Sequence, residues 1–142
     1  MTKIEILQKR LPDGVDAFLT TDSVSRFYLT GFKSSNGFLF VTKKTADFFT
    51  DFRYIEAAEK ECVGCTVSVG SYKEEVSKII EMQGIKTIAF EDELVTVAAL
   101  SGLKKSFPSC EFVSVGPIIS DMMSLKTPEE MMIRFLTFTH DV

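Results

Sequence analysis

The side chains able to do chemistry are few in this chain, and their spacing restricts what each group can do. Cys62-Val63-Gly64-Cys65 has the CxxC spacing of redox and zinc-binding pairs. A redox pair of that kind sits at a helix N-terminus, where the dipole favours the thiolate. This pair follows an expected helix and precedes an expected strand, so the polarity is reversed. A zinc knuckle needs a second ligand pair, and only Cys110 and His140 remain. Cys62, Cys65 and Cys110 are therefore expected to be small buried thiols. His140, the single histidine, lies two residues from the end of the sequence and cannot anchor a hydrolytic metal site alone. Ser23, Ser25, Ser34 and Ser35 have no histidine placed for a triad. No glycine-rich phosphate loop is present.

The acidic residues offer a different chemistry. Asp47, Asp51, Glu91 and Asp92 fall at or near expected strand ends, as carboxylates do in two-metal nucleases of the ribonuclease-H type. Simpler roles compete: Asp51 as a helix N-cap, Asp47 on an exposed strand face, and Glu91-Asp92 in a turn. A nuclease also needs a basic track. The net charge is -4, and the 16 Lys and Arg residues are scattered, which argues against a nucleic-acid partner.

These groups are positioned by short elements of alternating type. Strands are expected over 17–19, 38–41, 46–49, 66–69, 87–90 and 112–115. The pair around Lys43-Lys44 reads as a hairpin. Helices are expected from Asp22 to a stop at Gly31, over 51–61, from Ser71 to Gly84, and over 95–107 before Pro108. Ser71 and Glu74 have capping-box spacing, as do Thr127 and Glu130, with Pro128 at the first helical position. Strands separated by single helices imply a three-layer α/β fold, a mixed sheet with helices on both faces. The 142 residues fit one domain. No apolar run approaches a membrane span, and none has signal-peptide length near the N-terminus, so no membrane partner and a cytoplasmic location are expected. The apolar helix expected over 129–138 either folds back on the sheet, meets a second subunit, or opens a further domain.

Two strings carry more information than any reactive group. They are Phe27-Tyr28-Leu29-Thr30-Gly31-Phe32, with Gly37 after it, and Thr50-Asp51-Phe52-Arg53-Tyr54-Ile55-Glu56-Ala57-Ala58. A third is Leu125-Lys126-Thr127-Pro128-Glu129-Glu130. In this order they resemble the N-terminal domain of the Xaa-Pro aminopeptidase, prolidase and creatinase group, where Asn-Ile-Arg-Tyr-Leu-Thr-Gly-Phe precedes a hairpin and Thr-Asp-x-Arg-Tyr-x-x-Gln-Ala. This chain departs at Ser25 and Phe27, with an arginine displaced to Arg26, and at Ala57 in place of Gln.

The resemblance implies a fold similar to the ribonuclease-H-like motif of creatinase N-terminal domains, with residues 1–125 as that domain. Residues 126–142 would lead toward a catalytic domain beyond Val142. The parent reaction implied is hydrolysis of Xaa-Pro bonds in proline-containing peptides, using two divalent metals such as Mn, Co or Zn held outside this chain. The chain itself would carry no catalytic or metal-binding residue. It would pair with the catalytic domain and with a second subunit in a homodimer, shaping the partner's active site. Phe27, Tyr28, Lys33 and Arg53 are the candidate contacts, with the loop from Lys33 to Asn36. Arg53 would present an exposed guanidinium to a carboxylate. Gly31, Phe32, Gly37, Asp51 and Tyr54 read as structural members of the motif. Two alternatives are a free-standing protein-binding module and the nuclease above.

Overall fold

The computed structural model describes residues 2–70 and 72–124. The Ser71 end of one expected capping box, the whole Thr127–Glu130 box, the helix over 129–138 and His140 lie outside those residues. The elements in order are α1 (Lys3–Arg10), β1 (Ala17–Thr20), α2 (Ser23–Thr30), β2 (Phe38–Thr42), β3 (Ala46–Thr50) and α3 (Ile55–Glu61). They continue with β4 (Thr66–Val69), α4 (Tyr72–Gln83), β5 (Thr87–Phe90), α5 (Val97–Ser106), β6 (Glu111–Ser114) and α6 (Ile118–Ser124).

The strands form one mixed sheet in the order β4-β3-β2-β1-β5-β6. β2 runs antiparallel to both β1 and β3, and the other pairings are parallel. Five strands therefore end at the same edge of the sheet, and β2 begins there. Period-two alternation divides the side chains between two cores. Phe18, Leu39, Val41, Phe48 and Ala89 face one side, with Leu7, Leu29, Ala58 and Ile119 from α1, α2, α3 and α6. Leu19, Phe38, Phe40, Phe49 and Ile88 face the other, with Val76 and Ile80 from α4 and Leu103 from α5. The expected three layers are present.

Local chemistry sets most helix ends. Asp22 caps α2 by accepting from Ser25 N at 3.0 Å, and Gly31 ends it in the left-handed region at φ 79. Gly84 (φ 65) follows α4 as expected. Two helices were not expected. α1 opens with a capping box in which Thr2 accepts from Glu5 N and the Glu5 side chain returns to the Thr2 backbone. The short α6 follows Pro117, whose carbonyl accepts from Asp121 N at 2.9 Å.

The expectation that Asp51 caps a helix over 51–61 is overturned. That helix begins at Ile55, and its N-cap, Tyr54, makes no side-chain cap bond. The Asp51 carboxylate is instead engaged by Arg53 N at 2.9 Å. A local Asx turn thus competes with helix initiation, and Arg53 and Tyr54 lie in the turn rather than in the first helical turn. Among the described residues, no helix is long and apolar enough to cross a membrane.

Phe48 is fully buried on β3 and meets Phe32 edge to face at 6.0 Å. Phe48→Ala is expected to cost about 3–5 kcal/mol, read as a lower urea midpoint with an unchanged slope.

Candidate functional site: a contact surface at the carboxyl edge of the sheet

The loop after Gly31 is held from behind by an arginine in the core. Arg26 is 2% exposed. It donates Nε to Thr21 O at 3.1 Å, Nη1 to Ser34 Oγ at 2.8 Å, and Nη2 to Ser34 O at 3.4 Å. Burial lowers the Arg26 pKa, and the nearby charge of Asp22 opposes that effect. Ser34 Oγ donates onward to Asn36 O at 2.7 Å. Thr30 Oγ1 donates to Arg26 O and accepts from Phe32 N. The Thr-Gly-Phe string is thereby tied into the same network. Gly37 is required for space: a Cβ there would lie 2.7 Å from the Phe48 ring and 2.9 Å from Arg26 Nη1.

From the front, the loop is tied to the segment before α3. Asn36 Nδ2 donates to Asp51 Oδ2 at 3.1 Å, and Ser35 Oγ shares a 2.6 Å hydrogen bond with Tyr54 Oη. Arg53 Nη2 meets Asp51 Oδ2 at 2.8 Å. Arg53's hydrogen bonds hold the Asp51 carboxylate below its ordinary range, and Asp51 raises Arg53 in return. Arg53 is thus exposed but already paired. A cleft of about 400 Å³ opens beside this joint, between Thr21, Gly37, Phe38, Phe52 and Tyr72. Its aromatic wall includes Phe38 stacked on Tyr72 at 4.2 Å.

The other candidate contacts lie on α2 and on the loop that follows it. Phe27 is 50% exposed on α2, one turn from Val24 at 62%. These two form an apolar face that the described residues leave open. Lys33 is exposed on the loop. Tyr28 is half-buried, with Oη donating to Met122 O at 3.3 Å and Lys3 Nζ 4.3 Å above its ring. It fastens α2 to α6 and α1.

The acidic residues do not converge. Asp47 is half-buried rather than on an exposed face, and burial followed by Glu75's charge raises its pKa. Glu91 is not simply a turn residue. It is 3% exposed, accepts from Ser25 Oγ at 2.9 Å and is bonded by the Ile119 amide. Burial is the largest influence on Glu91 and raises its pKa. Among the described residues, no three His, Cys, Asp or Glu side chains are grouped to hold a metal ion. The cysteines are half-buried, not buried as expected.

Sequence reasoning missed Arg26 and Glu91 as organisers. Ser25 and Arg26, adjacent on one helical turn, contact different partners, and nothing in their spacing announces either contact.

Comparison with known proteins supplies the remaining finding. Residues 4–122 match the creatinase/prolidase N-terminal domain family. The chain is 30% identical over 122 residues to an uncharacterized peptidase, YqhT, of Bacillus subtilis, covering 84% of this chain and 35% of that relative. It resembles the structure of an Xaa-Pro dipeptidase from Bacillus anthracis with a TM-score of 0.80 and 33% identity, over 92% of this chain and 38% of the other. The separately crystallised N-terminal domain of the cytoplasmic peptidase PepQ from Mycobacterium tuberculosis gives 0.70 and 26%, over 84% of this chain and 94% of that one. The chain spans about a third of the length of YqhT and of the dipeptidase.

Two outcomes follow from the buried ionisable groups. Arg26→Ala is expected to lose about 1.5–3 kcal/mol and to accelerate amide hydrogen exchange at 33–37 beyond the rest of the sheet edge. Uniform acceleration would contradict the loop-holding role. For Glu91, a raised folded-state pKa means the native state holds its proton more tightly than the unfolded chain. That contribution is complete below the unfolded value and is lost as pH rises through the folded one. Glu91→Gln should therefore gain stability relative to the parent between acidic and neutral pH, measured by urea titration at each pH.

Proposed function

Because the chain belongs to the creatinase/prolidase N-terminal domain family, we propose that it acts as the non-catalytic N-terminal domain of an Xaa-Pro aminopeptidase or dipeptidase in the cytoplasm. The match over residues 4–122, set against relatives about three times as long, carries this reading. Hydrolysis of proline-containing peptides, and the two divalent metals it uses, belong to a catalytic domain outside these residues. Residues 1–125 form the domain and 126–142 lead toward that partner. The domain's role is assembly with the catalytic domain and a second subunit, and the shaping of the partner's active site.

The exposed face of α2 and the loop after it are the part suited to that role. Phe27 and Val24 offer apolar area, and Lys33 offers an exposed cation on a loop ordered by Arg26. A surface preorganised in this way loses little entropy on contact. Arg53 contributes to the joint through Asp51 and acts as a positioning group.

The purified 142-residue chain, supplied with Mn, Co or Zn, should not hydrolyse Xaa-Pro dipeptides above the blank. Added to a separately produced catalytic domain of the same family, it should bind and alter KM more than kcat. Phe27→Asp with Lys33→Glu should weaken that association at least about tenfold, roughly 1.4 kcal/mol. Metal-dependent turnover by the chain alone, or association insensitive to these changes, would refute the reading.

A further inference from the structure

We propose that the outer edge of β6 is a self-association surface, on which a second copy of this chain pairs its own β6 antiparallel across a two-fold axis at Val113. The inference rests on the second-subunit role proposed above and gives that role a location. β6 is the last strand on its side of the sheet, parallel to β5 and, among the described residues, without a strand beyond it. Glu111 N donates to Lys86 O at 2.7 Å, and Val115 N donates to Phe90 O at 3.0 Å. Val113 lies midway between them, so period-two alternation turns its backbone groups toward β5 as well. The N–H and C=O groups of Phe112 and Ser114 therefore point outward, where no described strand is placed to bond them.

Two features of this edge fit a copy of itself. With Val113 opposite the copy's Val113, Phe112 lies opposite the copy's Ser114, and Ser114 opposite the copy's Phe112. Each of these pairs exchanges both N–H···O bonds, so all the outward groups of the two strands are used. Glu111, the one charged residue of β6, then lies opposite the copy's Val115 and meets no like charge. The second feature is apolar area on both faces. Phe112 packs partly against the core that holds Ile88, and Val113 and Val115 pack partly against the core that holds Ile119. All three are only half-buried, so a further strand completes their burial. β4, at the opposite edge, alternates valine with Thr66 and Ser68 and offers apolar side chains to one face only. β6 also carries no Lys or Pro of the kind that blocks edge pairing.

The test is sedimentation velocity of the 142-residue chain over a concentration series, with amide hydrogen exchange at both ends of the series. A concentration-dependent dimer is expected, with the Phe112 and Ser114 amides protected only where it forms. Val113→Lys and Val113→Glu should each weaken self-association at least about tenfold, because like charges then face each other and apolar area is lost. Mixed in equal amounts, these two variants should associate again, a recovery that requires residue 113 to meet its own copy. Ser114→Pro is tolerated on an edge whose N–H faces outward, and it should weaken the dimer by about tenfold through lost backbone bonds. A chain monomeric throughout the series, with its edge amides exchanging freely or protected at every concentration, would overturn the proposal. A dimer indifferent to all three changes would overturn it too, while leaving the second subunit to another surface. Binding to the catalytic domain remains the separate measure of the proposed function. The wild-type exchange pattern decides the edge even where a variant does not fold.

Discussion

The central strand β2 is buried on both faces, and the three layers depend on its alternation. Phe38 and Phe40 enter one core while Leu39 and Val41 enter the other. Each such side chain is worth about 1.5–3 kcal/mol when fully removed from water. A one-residue slip would exchange the two sets, and every helix would then face side chains of the wrong size. Antiparallel pairing of β2 with β1 and β3 fixes the register. The remaining strands add in parallel through helical crossovers, which gathers their ends at one edge. The location of the candidate surface is thus a consequence of topology before any surface residue is considered.

Against that apolar background, Arg26 and Glu91 are costly groups. A buried charge persists when hydrogen bonds replace its hydration. Arg26 achieves this with carbonyl and hydroxyl oxygens, because among the described residues it makes no ion pair. For Glu91 burial favours the neutral acid, and its hydrogen bonds from Ser25 and the Ile119 backbone partly offset that effect. Each joins segments that hydrophobic packing alone leaves adjustable: Arg26 the loop at 33–37, and Glu91 the entry to α6. Directional bonds provide positional specificity, which a larger apolar core would not.

The sheet was legible in the sequence because strand alternation, the short Lys43-Lys44 connection and helix stops such as Gly31 and Gly84 all act locally. α1 carried an equally local signal in Thr2 and Glu5, hidden beneath its mixed composition. The contact surface was legible only in outline. Asp51 illustrates the reason: as a residue type it suits an N-cap, but Arg53 and Asn36 compete for the same oxygens. One of those competitors is 15 residues away, and no periodicity reports it. Arg26 and Glu91 were harder still, since their roles depend on burial and partners set by tertiary packing.

The departures from the family strings acquire a physical meaning in this light. Ser25 stands where the family carries Asn, and its hydroxyl supports Glu91. The arginine displaced to position 26 turns inward and organises the loop. That shift leaves Phe27 at the outward-facing position, with no charge to offer a partner. The apolar Phe27–Val24 face and the cation of Lys33 therefore divide between them what an outward arginine would combine. The exposed face of α2 thus offers apolar area, with the cation set on the loop that follows rather than on the helix itself.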